Sequence, residues 1–312
     1  MRHCPRAMTA VFVDANPTLA AAFERLHRAE GDPPLRINRD PDVSPNALPG
    51  VLDGAAIMVV DHTAFPTEVA RQCIGLTDVV FLGTGARSYM DPDALAELGI
   101  AVHLIRGYGD TAVAEMAFAL MWAAAKGLSP MDNGIRAGQW LRTDGVQLSG
   151  KTAGLLGFGG IATEFARLAL GAGMDVVAWN RTPKTHPAVR FLPLDDVLAA
   201  ADVLSVHLLL TDETRGFLSA ERLARLKPGA ILVNTARGAV VDEAAMVDAL
   251  RSGRLRAAGL DVFNEEPLPP GHVLPTLPNV VLSAHSAFRT PEAGDALVSA
   301  ALAHCRRIVS RT

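Results

Sequence analysis

The sequence predicts an α/β chain in which one parallel-sheet domain is inserted into a smaller one, and three observations predict it. Short apolar runs alternate with segments of helical period along most of the chain, the rhythm that builds parallel sheets. The stretch Thr152-Ala-Gly-Leu-Leu-Gly157-Phe158-Gly159-Gly160-Ile161-Ala162 carries a strand through a Gly-x-Gly turn into a helix. The last segment, Pro291 to Val309, has helical spacing but no strand left to follow, so it is expected to return to the first domain and make that domain discontinuous.

The chain has 312 residues, room for two domains of ordinary size. Hydrophobic residues make up 49% and charged residues 20%, and the net charge is −4 with no run of five like charges. That balance points away from nucleic acid and from membrane surfaces as partners. Cys4, Cys73 and Cys305 are scattered without Cys-x-x-Cys spacing, so neither a disulfide framework nor a metal site is indicated. Residues 1–8 hold no apolar core of signal-peptide length, and a cytoplasmic location is expected.

In chain order, Ala10 to Asp14 reads as a strand and Pro17 to Ala29 as a helix with Leu19, Ala22, Phe23 and Leu26 on one face. A loop rich in Pro and Asp is expected over 31–50. Ala55 to Val60, Asp78 to Leu82 and Ile100 to Leu104 read as buried strands with helices between them. Gly83-Thr84-Gly85-Ala86 is a turn able to present N–H groups to an anion, although in isolation a plain turn is the simpler reading. Arg106 to Thr111 looks like a join. The apolar helix Ala112–Ala125 behind it is too short to span a bilayer and suits a buried helix or a subunit contact.

The Gly-x-Gly turn follows. Gly157 permits the tight bend, and Gly159 lets a pyrophosphate approach the backbone at a helix N-terminus, where N–H groups are free and the dipole favours an anion. Ala162 stands in the third glycine position, which the pattern tolerates. Strands at Asp175–Trp179 and Val203–Leu210 come at the spacing of a dinucleotide-binding sheet.

Four segments downstream carry chemistry: Ile231 to Glu243, Gly259 to Phe263, Asn264 to Pro267, and Val280 to His285. Arg237 and His285 each sit just past a strand, and Glu266 precedes His285 in a Pro-rich loop. Singly, an Arg or His after a strand and a Glu in a loop are more often surface residues. Together behind a glycine turn they suit hydride chemistry. A guanidinium holds a carboxylate and polarises a carbonyl, an imidazolium delivers a proton, and a neighbouring carboxylate favours the protonated imidazole.

Asn234-Thr-Ala-Arg237-Gly, Gly259-Leu-Asp261-Val-Phe, Glu266-Pro267 and the strand ending at His285 resemble the signatures of the D-isomer-specific 2-hydroxyacid dehydrogenases. The similarity covers almost the whole chain and is densest from about residue 105 to 290. It implies two Rossmann-like domains: a dinucleotide-binding domain over 106–287, inserted into a smaller flavodoxin-like substrate domain formed by 1–105 and 288–312. It also implies an Arg237–Glu266–His285 triad, with Gly157, Gly159, Gly160 and Ile161 under the pyrophosphate and Thr235, Ala236 and Asp261 on the nicotinamide side. Gly85 and Ala86 would join Arg237 in holding the substrate carboxylate, and the helix near 112–125 would help form a homodimer. The expected activity is reduction of a small 2-oxo acid of the glyoxylate or hydroxypyruvate type. The rival reading is a dinucleotide-sensing interaction protein of the corepressor type on the same fold.

Three departures from the family pattern matter. Where members using NAD carry an acid, this chain has Asn180, followed by Arg181, Thr182 and, further on, Lys184, which suits the 2′-phosphate of NADP(H) better than NAD(H). Where phosphoglycerate members place an Arg, it has Val60-Asp61-His62-Thr63, which disfavours a phosphorylated substrate. Ala284 replaces the usual Pro before the histidine, and Arg87-Ser88 replaces a common Val-Asp, with Arg87 expected to face solvent.

Overall fold

The computed structural model describes residues 8–311; Cys4 and the rest of the 1–7 segment lie outside them. The chain divides into two compact units. One holds the residues up to Gly109 together with those from Thr290 onward, and the other holds Asp110–Arg289.

The first unit is a five-stranded parallel sheet, β1 Ala10–Phe12, β2 Leu35–Ile37, β3 Ile57–Val60, β4 Asp78–Phe81 and β5 Ala101–Leu104, in the order β2-β1-β3-β4-β5. That is the flavodoxin-like order. β3 lies at the centre with all four residues buried, as expected for a parallel strand covered on both faces. Asn16 caps the helix Pro17–Leu26 by accepting from the Leu19 N–H at 3.0 Å, and Pro17 supplies a preset first turn.

The last helix, Pro291–Val309, is capped by Thr290 and lies against the first helix and β4. Leu297, Val298, Ala301, Leu302, Cys305 and Ile308 share a core with Phe12 and Phe23. Arg306 bonds the buried Asp32 at 2.5 Å, tying the end of the chain to the loop after the first helix.

The second unit is a seven-stranded parallel sheet: β6 Thr152–Leu156, β7 Asp175–Trp179, β8 Arg190–Phe191, β9 Val203–Val206, β10 Ala230–Asn234, β11 Leu255–Leu260 and β12 Val280–Leu282. Their order is β12-β11-β10-β9-β6-β7-β8, so the direction of winding reverses between β6 and β9. Ligands of such sheets bind at the carboxyl ends of the strands beside that reversal.

The helix Asp110–Lys126 packs on the helix Gly160–Gly171 and across β10 and β11. Contact with β11 is close enough that a Cβ on Gly259 would lie 2.8 Å from the Cβ of Leu120. Among the described residues no single helix is long and apolar enough to cross a membrane.

Three expectations need correction. The 31–50 segment is not all loop: it contains β2 and a helical stretch over Pro45–Val51. A strand of three residues behind Pro33-Pro34 is too short to show alternation, and its pairing with β1 defines it. The apolar run Val203–Leu210 is a strand only to Val206, because its neighbour β10 stops at the paired residue Asn234. The first helix ends at Leu26, where His27 is already extended.

Candidate active site

The glycine turn leaves β6 beside the reversal. Gly157 has φ +87°, and a Cβ there would lie 2.7 Å from the carbonyl oxygen of His207, so the sharp bend and the close approach both require glycine. Gly159 is the N-cap of the helix Gly160–Gly171, and a Cβ on it would meet nothing within 4 Å. Gly160 is constrained instead by Asp110, whose carboxylate lies directly over its Cα. Ile161 is half-buried in the first turn, and Ala162 is fully buried against the sheet.

Asn180, past the end of β7, holds this turn rather than standing free. Its Oδ1 accepts from the Phe158 N–H at 2.9 Å, and its Nδ2 donates to the Thr182 carbonyl at 2.6 Å. The exposed Arg181 adds a positive charge that helps hold Glu213 below the usual carboxylate range, behind the larger effect of the Thr211 hydroxyl.

At the end of β10 the buried Asn234 folds the chain back on itself. It accepts from the Ala236 N–H and donates to the Arg237 carbonyl, both at 3.0 Å. Gly238 is obligatory behind Arg237, because a Cβ there would sit 2.1 Å from the Phe263 carbonyl carbon. Arg237 is half-buried and uses Nη1 on the Ala236 carbonyl at 2.6 Å. Thr235 is buried, and its hydroxyl has no hydrogen-bond partner among the described residues.

Asp261 follows β11 and is completely enclosed. It accepts from the Ser283 hydroxyl at 2.6 Å and from the Ser286 and Ala287 N–H groups at 3.0 Å each, while its own carbonyl accepts from the His285 N–H at 2.8 Å. Expected on the nicotinamide side, its carboxylate is here engaged in fixing the loop that carries His285. That loop holds His285 at φ +47°, a left-handed conformation costly for a residue with a Cβ.

His285 Nδ1 meets Glu266 Oε2 at 2.6 Å, and Glu266 Oε1 accepts from the Phe263 N–H at 2.8 Å. Partial burial works to raise the Glu266 pKa. The His285 and Phe263 hydrogen bonds and the nearby charges of His285 and Arg237 outweigh it, and the carboxyl lies below its ordinary value. Arg237, Glu266 and His285, separated in sequence, therefore converge electrostatically at the carboxyl edge of β10, β11 and β12. Sequence reading missed the holding roles of Asn234 and Ser283. Asn234 stands inside the quoted motif, and its small polar side chain at a strand end was the available signal.

In the first unit, Ser88 donates to the Gly85 carbonyl and Tyr89 and Met90 donate to that of Ala86, closing a short 3-10 turn at the carboxyl end of β4. Arg87 faces solvent, paired with the exposed Asp93 at 2.8 Å. The fully buried Asp14, past the end of β1, accepts from the N–H groups of Asp61, His62 and Thr63 after β3 and from the Thr63 hydroxyl. The hydrogen bond to Asp61 pushes the His62 pKa up to about 9 against the effect of burial, with the charges of Asp14 and Asp61 adding. His62 is thus a cation at neutral pH flanked by two carboxylates, a balance its sequence neighbours only half disclose.

The turn suits a pyrophosphate on two observations, open space over Gly159 and free N–H groups at the start of a 12-residue helix, while two strands away the Thr235 hydroxyl at the end of β10 has no partner among the described residues. The helix Asp110–Lys126, expected to support a dimer, buries Ala114, Ala117, Leu120 and Met121 within its own unit, while Val113, Met116, Phe118 and Trp122 are half-buried. Exposed apolar side chains lie beyond it, at Leu128, Ile135, Trp140 and Leu141.

Residues 118–287 match the model of the D-isomer specific 2-hydroxyacid dehydrogenase, NAD binding domain. The chain is 42% identical over 216 residues to a glyoxylate reductase of Aeropyrum pernix, covering 65% of this chain and 64% of that one. It is 36% identical over 244 residues to a D-3-phosphoglycerate dehydrogenase of Archaeoglobus fulgidus, covering 76% of this chain and 46% of the other. It therefore spans less than two thirds of the length of the first relative and about half of the second. The crystal structure of a glyoxylate reductase from Paecilomyes thermophila superposes with a TM-score of 0.85 at 28% identity, over 98% of this chain and 96% of that one. With more than half of the chain matched by the family's own domain model, this protein belongs to the D-isomer-specific 2-hydroxyacid dehydrogenase family.

Proposed function

We propose that the protein reduces a small 2-oxo acid of the glyoxylate or hydroxypyruvate type to the D-2-hydroxy acid, with NADP(H) favoured over NAD(H). The observation that carries this reading is the 2.6 Å bond between His285 and a Glu266 held ionised beside Arg237. The bound reduced nicotinamide would supply the hydride. Glu266 accepts a hydrogen bond from the Nδ1–H of His285, which fixes the ring and leaves Nε2 to pass a proton to the substrate oxygen. Arg237 keeps guanidinium N–H groups beyond the one bonded to Ala236 and suits a bidentate grip on the substrate carboxylate, polarising the adjacent carbonyl. The Gly85–Ala86 turn, which belongs to the other unit, offers N–H groups suited to a carboxylate.

Two features support the finer choices. Asn180 puts a neutral amide where a carboxylate would repel a 2′-phosphate, and Arg181 beside it is exposed. The His62 cation is already flanked by Asp14 and Asp61, which leaves no net positive charge at that loop for a substrate phosphate. A homodimer that the helix near 112–125 helps to form belongs to the same reading, supported by the exposed apolar Leu128, Ile135, Trp140 and Leu141 just beyond it, and sedimentation as a single copy would remove that part.

The test follows the loss of reduced cofactor absorbance with glyoxylate, hydroxypyruvate and 3-phosphohydroxypyruvate. Turnover is expected with the first two. His285→Ala should lower kcat by about a thousandfold or more while cofactor Kd stays within about twofold. Flat traces with every 2-oxo acid, alongside intact cofactor binding, would favour the sensing protein instead.

A further inference from the structure

The cofactor turn contains one group that chemistry would not place there to strengthen binding. Asp110 opens the helix Asp110–Lys126, and its carboxylate rests on the first residue of the helix Gly160–Gly171. A Cβ on Gly160 would lie 1.7 Å from Asp110 Oδ2 and 2.6 Å from its Cγ. Gly160 is thus a glycine because an acid occupies the space beside it. Among the described residues that acid has no cationic partner: burial first and then the charge of Glu164 raise its pKa above the ordinary value. Glu164 lies on the same helix as Gly160 and is itself paired with Arg167 at 3.0 Å, so Arg167 is already engaged. At the start of its own helix an aspartate gains a little from the dipole. That gain does not explain a carboxylate laid over the turn that is to receive a pyrophosphate.

We propose that Asp110 sets the affinity for the dinucleotide by opposing the charge of its pyrophosphate, so that the cofactor is held weakly enough to leave quickly after turnover. The inference rests on the dinucleotide reading of the Gly157–Gly160 turn. Two negative charges at one helix terminus, partly screened from water, repel with an energy worth several-fold or more in a binding constant. Release steps rather than chemistry limit many enzyme cycles, and a built-in repulsion is a direct means of speeding one.

The experiment measures Kd for NADPH, ADP-ribose and adenosine by titration calorimetry, with the intact chain as wild type, Asp110→Asn and Asp110→Ala. Both variants are expected to bind NADPH and ADP-ribose about fivefold tighter or more, with adenosine unchanged because it lacks the pyrophosphate. Thermal melts of the free variants check that the helix start survives, and Asp110→Asn, nearly isosteric, carries the result if Asp110→Ala is unstable. Unchanged or weaker ADP-ribose binding in Asp110→Asn would overturn the proposal. So would tightening that extends equally to adenosine, or tightening in a folded Asn variant that a folded Ala variant lacks, since that reports a new hydrogen bond rather than a removed charge. A wild type that binds none of the three would sink the dinucleotide reading as well, whereas wild-type binding without tightening in the variants sinks only the role of Asp110.

Discussion

Against the glycine turn stands a histidine that the proposed reaction does not use. His207 follows β9 at the reversal of the sheet, its carbonyl against Gly157 and its ring 5.6 Å from that of Phe165. Its Nε2 is buried and, among the described residues, has no partner, a condition it shares with the Ser205 hydroxyl two residues earlier. Complete burial pushes its pKa down to about 4 from the ordinary 6.5, because nothing there stabilises the charged ring. The sign of the consequence follows from proton counts. Above pH 6.5 neither the folded nor the unfolded ring is charged, and the stability contribution is flat. Between 6.5 and 4 the unfolded chain takes up a proton that the folded chain refuses, so stability falls as pH falls, and below 4 it levels off. The loss is at most about 3 kcal/mol for this group. Urea unfolding of the wild type at pH 7 and pH 4.5 should show this fall, and His207→Gln should show a smaller one. Equal losses in the two proteins would show that His207 is not the acid-sensitive group.

Elements were legible from sequence where a single physical signal ran long enough. β3, β6 and β10 are largely apolar runs buried on both faces, and the helix Pro291–Val309 announces its start with Thr290-Pro291 and runs on with a sustained helical period. β2 failed that condition, since three residues carry no period and its strand identity comes from Ala10↔Leu35 pairing across the chain. The site followed the same rule. Arg237, Glu266 and His285 were legible as candidates because their residue types suit hydride transfer and because each followed a strand or lay in the loop before one. What holds them was not, because it is written in contacts between distant segments: Asp261 bonding the 283–287 loop, Gly238 clearing the Phe263 backbone, and Asp110 filling the space beside Gly160. The left-handed His285 belongs to the same class, since a positive φ at a non-glycine is imposed by surroundings and leaves no mark in the residue itself. Asn180 shows how far a residue's motif position and its local role can differ: read as a cofactor-choosing residue, it also bolts the glycine turn to the end of β7.

At the scale of the molecule, the glycine turn and the triad residues all belong to the unit Asp110–Arg289, while the Gly85–Ala86 turn and the His62 loop belong to the other. A dinucleotide held by the turn should therefore stabilise the Asp110–Arg289 unit directly, through the linkage between binding and folding. At a cofactor concentration a hundredfold above Kd the gain is about 2.7 kcal/mol, enough for a rise in Tm of several degrees. Measured by differential scanning calorimetry at equal concentrations, NADPH should raise Tm more than NADH, because the exposed Arg181 beside the neutral Asn180 favours the 2′-phosphate. Arg181→Ala should bring the NADPH shift down to that of NADH and leave the NADH shift where it was. Loss of both shifts together would mean that Arg181 serves the adenosine rather than the phosphate, and a larger shift with NADH in the wild type would reverse the cofactor preference. Arg181 also faces a competitor in Glu213, whose carboxylate it helps keep ionised. Glu213→Gln is accordingly expected to widen the gap between the two cofactors, and a gap that closes instead would show that the acid aligns the guanidinium for the phosphate rather than competing for it.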